Sequence, residues 1–436
     1  MGQVTVHSSE DPGTIELVPV GPIHGTIVAP TSKSLTNRLL VIAALASGTS
    51  LLSSPLVSDD TDAMISGLRA LGVAIEPTPR GLEITGSAGR LRPPATVVAA
   101  GLSGTTIRFL SAVAALVHGE VVLDGDPALR KRPIGPLADA LRDLGAEVAT
   151  ADGHPPLRIV GHGVRGGHVV VDASASSQFA TGLLLIAPYA EQDVHLDVSG
   201  LADQGYVQLT VGVMSRWGAR VSSDPPGHYV VGAGVHYEAA DEEVEHDASA
   251  AAHLYALAVA TGGDVTVANA GESAQPDAGI VAVLEAMGAT VRRGPGGTTV
   301  GRNAALTGVD VDLAAMPDQV PTVAVLGALA TGRTRIRNVA IARGHETDRL
   351  ASVAAELRRV GGEVDELPYG LVVHGGLPLH GGRIETYHDH RMAMAFAALA
   401  AVVPGVEIAD PSCVAKTYPG FWVDLERFGL VALERS

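Results

Sequence analysis

At 436 residues the chain is long enough for roughly three average domains, and its formal charge of −17 excludes a general nucleic-acid binder, which needs a basic face. Apolar residues make up 46% of the sequence and aromatic residues only 3%, so the core must be built mainly from Ala, Val, Leu and Ile. The single cysteine, Cys413, excludes a disulfide within one chain. The N-terminal residues lack a signal-peptide pattern, and the longest apolar runs fall short of the ~18 residues of a membrane span. We therefore expect a soluble cytoplasmic protein.

The first clear pattern in the chain is a predicted helix between Pro30 and Gly48. Its first residues, from Thr31 to Arg38, are polar or cationic, and residues 39–46 are uniformly apolar. This pattern predicts a helix that is buried on all sides. Its first N–H groups then need polar partners, and an anion is the natural one.

Five later segments repeat the polar head and the apolar body: 102–119, 172–190, 247–262, 316–332 and 387–405. Each of the six segments, the first included, is followed by a strand-like run and an amphipathic helix that ends on an apolar residue and a glycine. These pairs are Leu71-Gly72, Leu144-Gly145, Trp217-Gly218, Met287-Gly288, Val360-Gly361 and Phe428-Gly429. Both landmarks recur at intervals of about 70 residues, which predicts six copies of one α/β unit. Six copies divide most simply into two lobes of three.

Two short segments are predicted to connect the lobes. One is Pro30–Ser32, and the other is the acidic stretch from Asp241 to Glu245. A chain that leaves one lobe and later re-enters it needs two such crossovers. The predicted domains are accordingly residues 1–31 with 246–436, and residues 32–245.

Cations cluster in the polar heads and adjoining turns, against the overall negative charge. They are Lys33, Arg38, Arg108, Arg130, Lys131, Arg132, Arg343, Arg349, Arg391 and Lys416. If three helix N-termini from each lobe face a common cleft, their dipoles and these cations form an anion-binding site. The alternative for any single cation is a solvated charge near a helix end.

Other polar residues in the heads leave two interpretations open. The three residues Ser176-Ser177-Gln178 exceed what one N-cap needs, which favours contacts with ligand hydroxyl and phosphate groups. Asp318 is equally consistent with an N-cap and with a catalytic carboxylate. Glu346 and Arg349 are three residues apart, the spacing of an ion pair on a helix. A metal at His388-Asp389-His390 is disfavoured because no further His or Cys cluster has ligand spacing.

Eight motifs occur in the order found in the EPSP synthase family, the 3-phosphoshikimate 1-carboxyvinyltransferases. They are PTSKSLTNR, GLSGTTIRF, DGDPALRKRP, SSQF, MPDQ, GHETDRL, YHDHRMAM and AKTYP. The sequence resembles this family over essentially its full length, and the combination of SKSLTNR, HETDRL and DHRMAM is specific. The resemblance implies a two-lobed, inside-out α/β barrel with three βαβαββ units per lobe and the helices packed inside.

The resemblance also implies a reaction. The enolpyruvyl group of phosphoenolpyruvate would pass to the 5-hydroxyl of shikimate 3-phosphate, with release of phosphate, in the chorismate route to aromatic amino acids. We expect no metal, no organic cofactor, no nucleic-acid or membrane partner, and a monomer. Glyphosate, a ligand of the phosphoenolpyruvate pocket in this family, should inhibit, because Gly104 leaves that pocket unfilled.

The implied site residues fall into three overlapping sets. The set for shikimate 3-phosphate is Lys33, Ser34, Arg38, Ser176, Ser177, Gln178, Asp318 and His345. The set for phosphoenolpyruvate is Lys33, Gly104, Thr105, Arg132, Gln178, Arg349, Arg391 and Lys416. In the catalytic set, Asp318 would take the proton of the acceptor hydroxyl, Glu346 would protonate the methylene carbon, and Lys33 would lie near phosphoenolpyruvate.

Three alternatives to this function arise, and the first is strongly disfavoured. The UDP-N-acetylglucosamine enolpyruvyl transferases share the fold but carry a reactive cysteine in the loop that corresponds to residues 124–132, which has none here. The second alternative is an enolpyruvyl transferase with a different phosphorylated acceptor, since the family pattern is broken mainly at acceptor positions. These departures are Leu102, Asp203, Ile341 and His345. The third is a non-catalytic anion-binding relative, against which the presence of both Asp318 and Glu346 argues.

Overall fold

In the computed structural model, residues 13–19, 21–223 and 225–435 are described. They form two compact units. Unit 1 contains the residues up to 29, residues 249–272 and the residues from 277 onwards. Unit 2 contains residues 30–248 and 273–276.

The elements follow one another in a mixed α/β order. The strands are β1 Thr14–Val18, β2 His24–Ile27, β3 Thr49–Ser53, β4 Ala74–Thr78, β5 Gly81–Thr85, β6 Val98–Ala99, β7 Gly119–Asp124, β8 Glu147–Ala151, β9 His154–Gly161, β10 Gly167–Asp172, β11 Val194–Ser199, β12 Val221–Ser222, β13 His228–Val231, β14 Glu242–Glu243, β15 Asp264–Val267, β16 Thr290–Gly294, β17 Gly297–Gly301, β18 Asp310–Asp312, β19 Gly332–Arg337, β20 Glu363–Leu367, β21 Gly370–Gly375, β22 Gly382–Ile384, β23 Val406–Ala409 and β24 Val431–Arg435. The helices are α1 Lys33–Leu45, α2 Asp59–Ala70, α3 Gly104–Ala114, α4 Gly135–Asp143, α5 Gln178–Ile186, α6 Gly205–Arg216, α7 Ala248–Thr261, α8 Ile280–Ala286, α9 Val320–Leu329, α10 Arg349–Arg359, α11 His390–Ala400 and α12 Phe421–Arg427.

The strands of the described residues form six four-stranded sheets. Unit 2 holds β14-β3-β5-β4, β6-β7-β9-β8 and β10-β11-β13-β12, and unit 1 holds β2-β15-β17-β16, β18-β19-β21-β20 and β22-β23-β1-β24. Each sheet begins with a parallel pair, which two antiparallel pairings follow, as in β6-β7-β9-β8. The predicted α/β class is confirmed, and none of these sheets closes into a barrel.

Three sheets contain strands that lie far apart in the sequence, and one of them joins β1 to β23 and β24. β14 pairs in parallel with β3, so residues 242 and 243 oppose residues 52 and 53. β2 pairs in parallel with β15 in unit 1. The segments that follow β2 and β14 run side by side in unit 2, where Thr31 and His246 form an antiparallel bridge.

The first helix of each repeat is buried around its whole circumference. All residues of α3 and of α11 are buried, as are residues 35–45 of α1. Because these helices lack a polar face, they must be covered on every side. They form the centre of one apolar core in each unit.

The second, amphipathic helix of each repeat ends in the same way. The glycines of the six apolar-glycine pairs all have a positive φ, between 80° and 105°. The next residue donates its N–H to the carbonyl five residues earlier, as Val73 does to Leu68 at 3.1 Å. Glycine adopts this left-handed conformation without the strain that a side chain would bring, which explains the recurring sequence landmark. Among the described helices, none is both long and apolar enough to span a membrane.

Candidate active site

In unit 1, the predicted carboxylate Asp318 lies in a short 3-10 turn, Pro317–Gln319, that leads into α9. Its Oδ1 accepts a hydrogen bond from Arg349 Nη1 at 2.5 Å, and its Oδ2 lies 2.7 Å from Arg391 Nη2. His345 Nδ1 lies 3.2 Å from Oδ1. Asp318 thus directs both oxygens to arginines and not to the N–H groups of α9. Burial raises the pKa of Asp318, but Arg391 and Arg349 outweigh burial and hold that pKa well below its usual range.

Arg349 is the centre of this cluster and is fully buried at the first position of α10. Its Nε and Nη2 donate to the two oxygens of Asp389 at 2.7 and 3.1 Å, and Nη2 also donates to Glu346 at 2.8 Å. Burial lowers the pKa of Arg349, but Asp389, Asp318 and Glu346 raise it above its ordinary value. A buried guanidinium requires such partners, because an unpaired buried charge is strongly destabilising.

Two further cations of unit 1 are held beside the same carboxylates. Lys416 ends the 3-10 helix Pro411–Lys416, and its Nζ donates to Glu346 Oε1 at 3.0 Å. Arg391 is the second residue of α11. Asp389 caps this helix by accepting the Arg391 N–H at 2.9 Å. The ion pair between Glu346 and Arg349, which the spacing in the sequence favoured, is present. Three buried cations and three carboxylates therefore converge in unit 1.

In unit 2, the head of α1 is fixed by side chains from other segments. Ser32 caps the helix, and its Oγ accepts the N–H of Leu35 at 3.3 Å. The N–H of Lys33 donates to Asp247 at 3.0 Å, and its Nζ donates to Asp60 Oδ2 at 3.0 Å. Asp60 lies in the first turn of α2 and is buried. The Lys33 ammonium is thus placed and partly neutralised by a carboxylate of the same unit.

Arg38 is held almost entirely by neutral oxygens. Its Nε donates to the Thr210 hydroxyl at 2.9 Å, and its Nη1 and Nη2 donate to the carbonyls of Ser34 and Tyr206 at 2.9 and 3.1 Å. The guanidinium also lies over the ring of Phe109, 5.7 Å from its centroid. Burial lowers the pKa of Arg38 to about 10. The group is still a cation at neutral pH.

The heads of α3 and α5 share one hydrogen-bond network. Arg108 Nη1 donates to Ser176 Oγ at 3.0 Å and to Gln178 Oε1 at 2.7 Å. Gln178 Nε2 donates in turn to Thr105 Oγ1 at 2.9 Å. Ser177 is the residue directly before α5. The structure therefore brings together the predicted polar residues of two helix heads, and Arg108 joins them.

Gly104 is the first residue of α3, directly after the capping residue Ser103. A Cβ on Gly104 would lie 2.7 Å from Nη1 of Arg132 and 3.3 Å from Nη1 of Arg108. The missing side chain thus allows two guanidinium groups to approach the N-terminus of α3, where the helix dipole favours anions.

Two of the cations predicted near the helix heads have structural partners instead. Arg130 Nη2 lies 2.6 Å from Asp124. Arg343 Nη1 lies 2.7 Å from Asp348 and 2.8 Å from Glu366. Both arginines are partly exposed and paired with carboxylates, which is closer to the alternative of a solvated charge near a helix end than to a role in anion binding.

The His388-Asp389-His390 motif does not gather its side chains on one ligand. His388 Nδ1 lies 2.6 Å from Asp410, whereas Asp389 faces Arg349. Within the described residues, no group of three or more His, Cys, Asp or Glu side chains is arranged to hold a metal ion.

Comparison with known proteins decides the family. A sequence model of EPSP synthase (3-phosphoshikimate 1-carboxyvinyltransferase) matches residues 17–425. The chain belongs to the EPSP synthase family. A 3-phosphoshikimate 1-carboxyvinyltransferase of Methanoculleus marisnigri is 40% identical over 416 residues, which are 94% of this chain and 98% of the relative. One of Methanosphaerula palustris is 42% identical over 418 residues, with the same coverage of both chains, 94% and 98%. The structure of an EPSP synthase from Acinetobacter baumannii gives a TM-score of 0.81 at 26% identity and covers 97% of this chain and 100% of its own.

The positions at which this chain departs from the EPSP synthase pattern have ordinary local surroundings. Leu102 is exposed before α3, and Ile341 lies in the 3-10 helix Ala340–Gly344. The exposed Asp203 accepts the N–H of Gly205 at 2.6 Å, so its carboxylate fixes the turn that leads into α6. His345 is the exception, because its Nδ1 lies 2.9 Å from Arg349 Nη1 as well as near Asp318.

Two buried aspartates that contact predicted cations were not predicted as site residues. Asp389 stands in the sequence in the possible metal motif and in the family motif YHDHRMAM, whereas Asp60 belongs to no motif. The signal available for Asp389 is its position directly before a buried helix, where an N-cap is expected. For Asp60 the sequence offered only an acidic residue at the start of an amphipathic helix, which is common.

Proposed function

We propose that this protein transfers the enolpyruvyl group of phosphoenolpyruvate to the 5-hydroxyl of shikimate 3-phosphate and releases phosphate. The relatives at about 40% identity that are named 3-phosphoshikimate 1-carboxyvinyltransferase support the reaction. The observation that carries the proposal is the cluster in which the partly buried Asp318 and Glu346 contact the buried cations Arg349, Arg391 and Lys416. It combines cations suited to an anionic donor with two carboxylates suited to proton transfer.

The cations of unit 1 are proposed to bind phosphoenolpyruvate by exchanging partners. In the structure, Arg349, Arg391 and Lys416 each contact Asp318 or Glu346. A carboxylate and a phosphate on one ligand compete for these donors, and the planar fork of arginine suits both groups. Once Arg391 and Arg349 turn towards the ligand, they stabilise the ionised form of Asp318 less. The pKa of Asp318 then rises towards the range in which a general base is effective.

In the proposed reaction, Asp318 accepts the proton of the attacking hydroxyl and Glu346 protonates the methylene carbon. The tetrahedral adduct then expels phosphate. General acid–base catalysis contributes about 10²–10⁴ in rate per group, and orientation and charge stabilisation supply the remainder.

The polar heads of unit 2 are proposed to hold the other substrate groups. Arg38, Ser34, Ser176, Ser177 and Gln178 would contact shikimate 3-phosphate. Lys33 would serve both substrates. Gly104, Thr105, Arg132 and Gln178 would contact phosphoenolpyruvate. The neutral partners of Arg38 support this assignment, because its charge is available for a phosphate.

We also infer that the six sheets with their helices are six copies of one βαβαββ unit, arranged as an inside-out barrel in each lobe. The two compact units then correspond to the domains 1–31 with 246–436, and 32–245, except that residues 30–31, 246–248 and 273–276 belong to unit 2. The shared order of strand directions in all six sheets supports this inference. We expect the active protein to be a monomer, which light scattering after size exclusion would test.

The deciding experiment measures phosphate release from phosphoenolpyruvate with and without shikimate 3-phosphate. Release that requires shikimate 3-phosphate supports the proposed reaction. If phosphoenolpyruvate binds but no phosphate is released, shikimate 3-phosphate is not the acceptor, and other phosphorylated hydroxy compounds are tested next; a chain that converts none of them is a non-catalytic relative. The carboxylate of Asp203 favours a different acceptor, because it would repel an acceptor phosphate bound near the head of α6. If neither ligand binds, the transferase assignment is wrong.

A further inference from the structure

The turn that leads into α11 has an uncommon backbone. Tyr387 and His388 have φ values of 55° and 57°, in the left-handed region that side chains other than glycine rarely adopt. Two such residues in succession are strained, and they persist only where contacts with the surrounding structure hold them in this conformation. We refer to residues 385–389 as the left-handed turn.

The first anchor of the left-handed turn is Glu356 on α10, whose side chain is completely buried. Tyr387 donates its hydroxyl to Glu356 Oε1 at 2.7 Å, and the N–H of Glu385 donates to Oε2 at 3.1 Å. Arg359 Nε completes the set at 2.9 Å from Oε2. Burial and the hydrogen bond to Glu356 raise the pKa of Tyr387 to about 12, so its hydroxyl remains a donor at neutral pH.

The second anchor is Asp410. His388 Nδ1 lies 2.6 Å from its Oδ2, and Ser412 donates to its Oδ1 at 2.8 Å. Asp410 itself has a φ of 47° and directly precedes the 3-10 helix Pro411–Lys416. The two left-handed residues therefore reach in different directions, Tyr387 to α10 and His388 to the start of this 3-10 helix.

These two anchors connect the elements that carry the cations of unit 1. Arg349 is the first residue of α10, two helical turns before Glu356. Lys416 ends the 3-10 helix that follows Asp410. The left-handed turn itself ends in Asp389, which holds Arg349 with both oxygens and caps α11 in front of Arg391.

We propose that Tyr387 and His388 are positioning residues that fix the mutual geometry of Arg349, Arg391 and Lys416, and thereby set the affinity for phosphoenolpyruvate. This inference rests on the proposed function. Neither residue needs to touch the substrate. Each acts through a buried or nearly buried carboxylate on an element that carries a cation.

The test compares four variants with the wild-type chain. Tyr387→Phe removes the donor to Glu356 and keeps the ring, and His388→Ala removes the contact with Asp410. His388→Asn is the conservative variant, because asparagine tolerates the left-handed region and its amide can donate to Asp410. Tyr369→Phe is the matched control, since Tyr369 is exposed and lies in the turn between β20 and β21.

The measurements are KM and kcat for both substrates, a dissociation constant for phosphoenolpyruvate by calorimetry, and hydrogen exchange in peptides that cover residues 345–352, 389–394 and 411–418. Tyr387→Phe and His388→Ala should each raise the KM for phosphoenolpyruvate by about tenfold, because small displacements of orienting groups are costly. The KM for shikimate 3-phosphate should change less than about twofold. His388→Asn should restore most of the loss, and Tyr369→Phe should behave as wild type.

The outcomes separate this inference from the proposed function. If the wild-type chain turns over and both variants keep its KM and dissociation constant for phosphoenolpyruvate, the positioning role is wrong. If the wild-type chain neither binds nor converts phosphoenolpyruvate, the proposed function fails. In that case faster exchange in the peptides with Arg391 and Lys416 still supports the coupling of the three elements, and unchanged exchange in both variants overturns it.

Discussion

The two units present their arginines in different ways. In unit 1, Arg349 is surrounded by carboxylates, which raise its pKa above the ordinary value despite burial. In unit 2, Arg38 rests on a hydroxyl, two carbonyls and an aromatic ring, and burial lowers its pKa to about 10. Neutral oxygens accept the hydrogen bonds of a guanidinium and leave its charge in place. Carboxylates accept these hydrogen bonds and also neutralise the charge.

This difference suggests different tasks for the two units. Arg38 can attract a phosphate without giving up an acidic partner, so its contribution is mainly to binding. In the proposed mechanism, the cations of unit 1 first leave Asp318 and Glu346, which costs binding energy but releases two carboxylates for proton transfer. This mechanism would couple binding of the donor to preparation of the acid and base in unit 1. Substitutions that change one unit but not the other can test this distinction.

The largest effect is expected at Asp318. Asp318→Asn keeps the shape of the side chain but removes its charge and its basicity, so turnover should fall by about 10²–10⁴. Because Arg349 and Arg391 lose a competing carboxylate, phosphoenolpyruvate should bind as tightly as to the wild-type chain, or more tightly. Phosphate release and calorimetry would measure the two quantities. Turnover equal to that of the wild type would remove Asp318 from the mechanism.

At Arg38 we expect a smaller effect than at Asp318, and one on substrate binding more than on turnover. Lysine cannot reproduce the fork that donates to Thr210, Ser34 and Tyr206 at once, so Arg38→Lys should raise the KM for shikimate 3-phosphate. The loss of about 1.5–3 kcal/mol for hydrogen bonds to a charged group corresponds to roughly 10- to 100-fold. The kcat should fall much less than in Asp318→Asn.

Arg130→Lys is the control for this substitution in unit 2. Arg130 is half-exposed and its charge is matched by Asp124, and surface ion pairs of this kind contribute little to stability. Its kinetic constants should stay within about twofold of the wild type. An equal effect of both substitutions would contradict the special role of Arg38.

Gly104→Ala should have a moderate effect. The new Cβ would meet Arg132 Nη1 at 2.7 Å, so that guanidinium must move away from the head of α3. We expect the KM for phosphoenolpyruvate to rise about five- to tenfold and kcat to change less, because an orienting cation is displaced. Gly212→Ala on α6 is the matched control, since its Cβ would meet nothing within 4 Å.

The same pocket should admit glyphosate in the wild-type chain and less readily in Gly104→Ala. Inhibition curves of both proteins at a fixed concentration of phosphoenolpyruvate would show this difference. Full activity of the wild type at saturating glyphosate would contradict the assignment of Gly104 and Arg132 to the donor pocket.

The sequence predicted those features of the fold that are encoded locally. An apolar run without a polar face requires a buried helix, and a glycine after an amphipathic helix marks a left-handed C-terminal position, so both landmarks could be recognised from one chain. The pairing of β14 with β3 could not be recognised, because these strands lie far apart in the sequence and a two-residue strand has no pattern of its own.

For the site, the sequence predicted the residue types but not the contacts between them. The residue types of Asp318, Glu346 and the cations pointed to an anion site with acid–base groups. Their partners depend on tertiary distances, so the sequence could not distinguish Arg349, which has three carboxylate partners in the core, from Arg343, which pairs with Asp348 and Glu366. For the same reason Asp389 was visible only as one letter of a motif, although it holds Arg349 with both oxygens.

The smallest expected effect concerns the dependence of stability on pH in unit 1. The pKa of Asp318 is lower in the folded protein than the value of about 3.9 in an unfolded chain. A lowered pKa means that the ionised carboxylate stabilises the fold above about pH 4, and that this contribution is lost as the pH falls through the folded pKa. Asp318→Asn lacks the contribution at every pH. The difference in unfolding temperature between wild type and Asp318→Asn should therefore be largest near pH 7 and should shrink as the pH falls below about 4. The difference should stay small, because Asp389 and Glu346 still pair with Arg349 in the variant. If the difference in unfolding temperature grows on acidification, the two arginines do not hold Asp318 ionised. The contrast between the charged partners in unit 1 and the neutral partners of Arg38 would then not explain how the units differ.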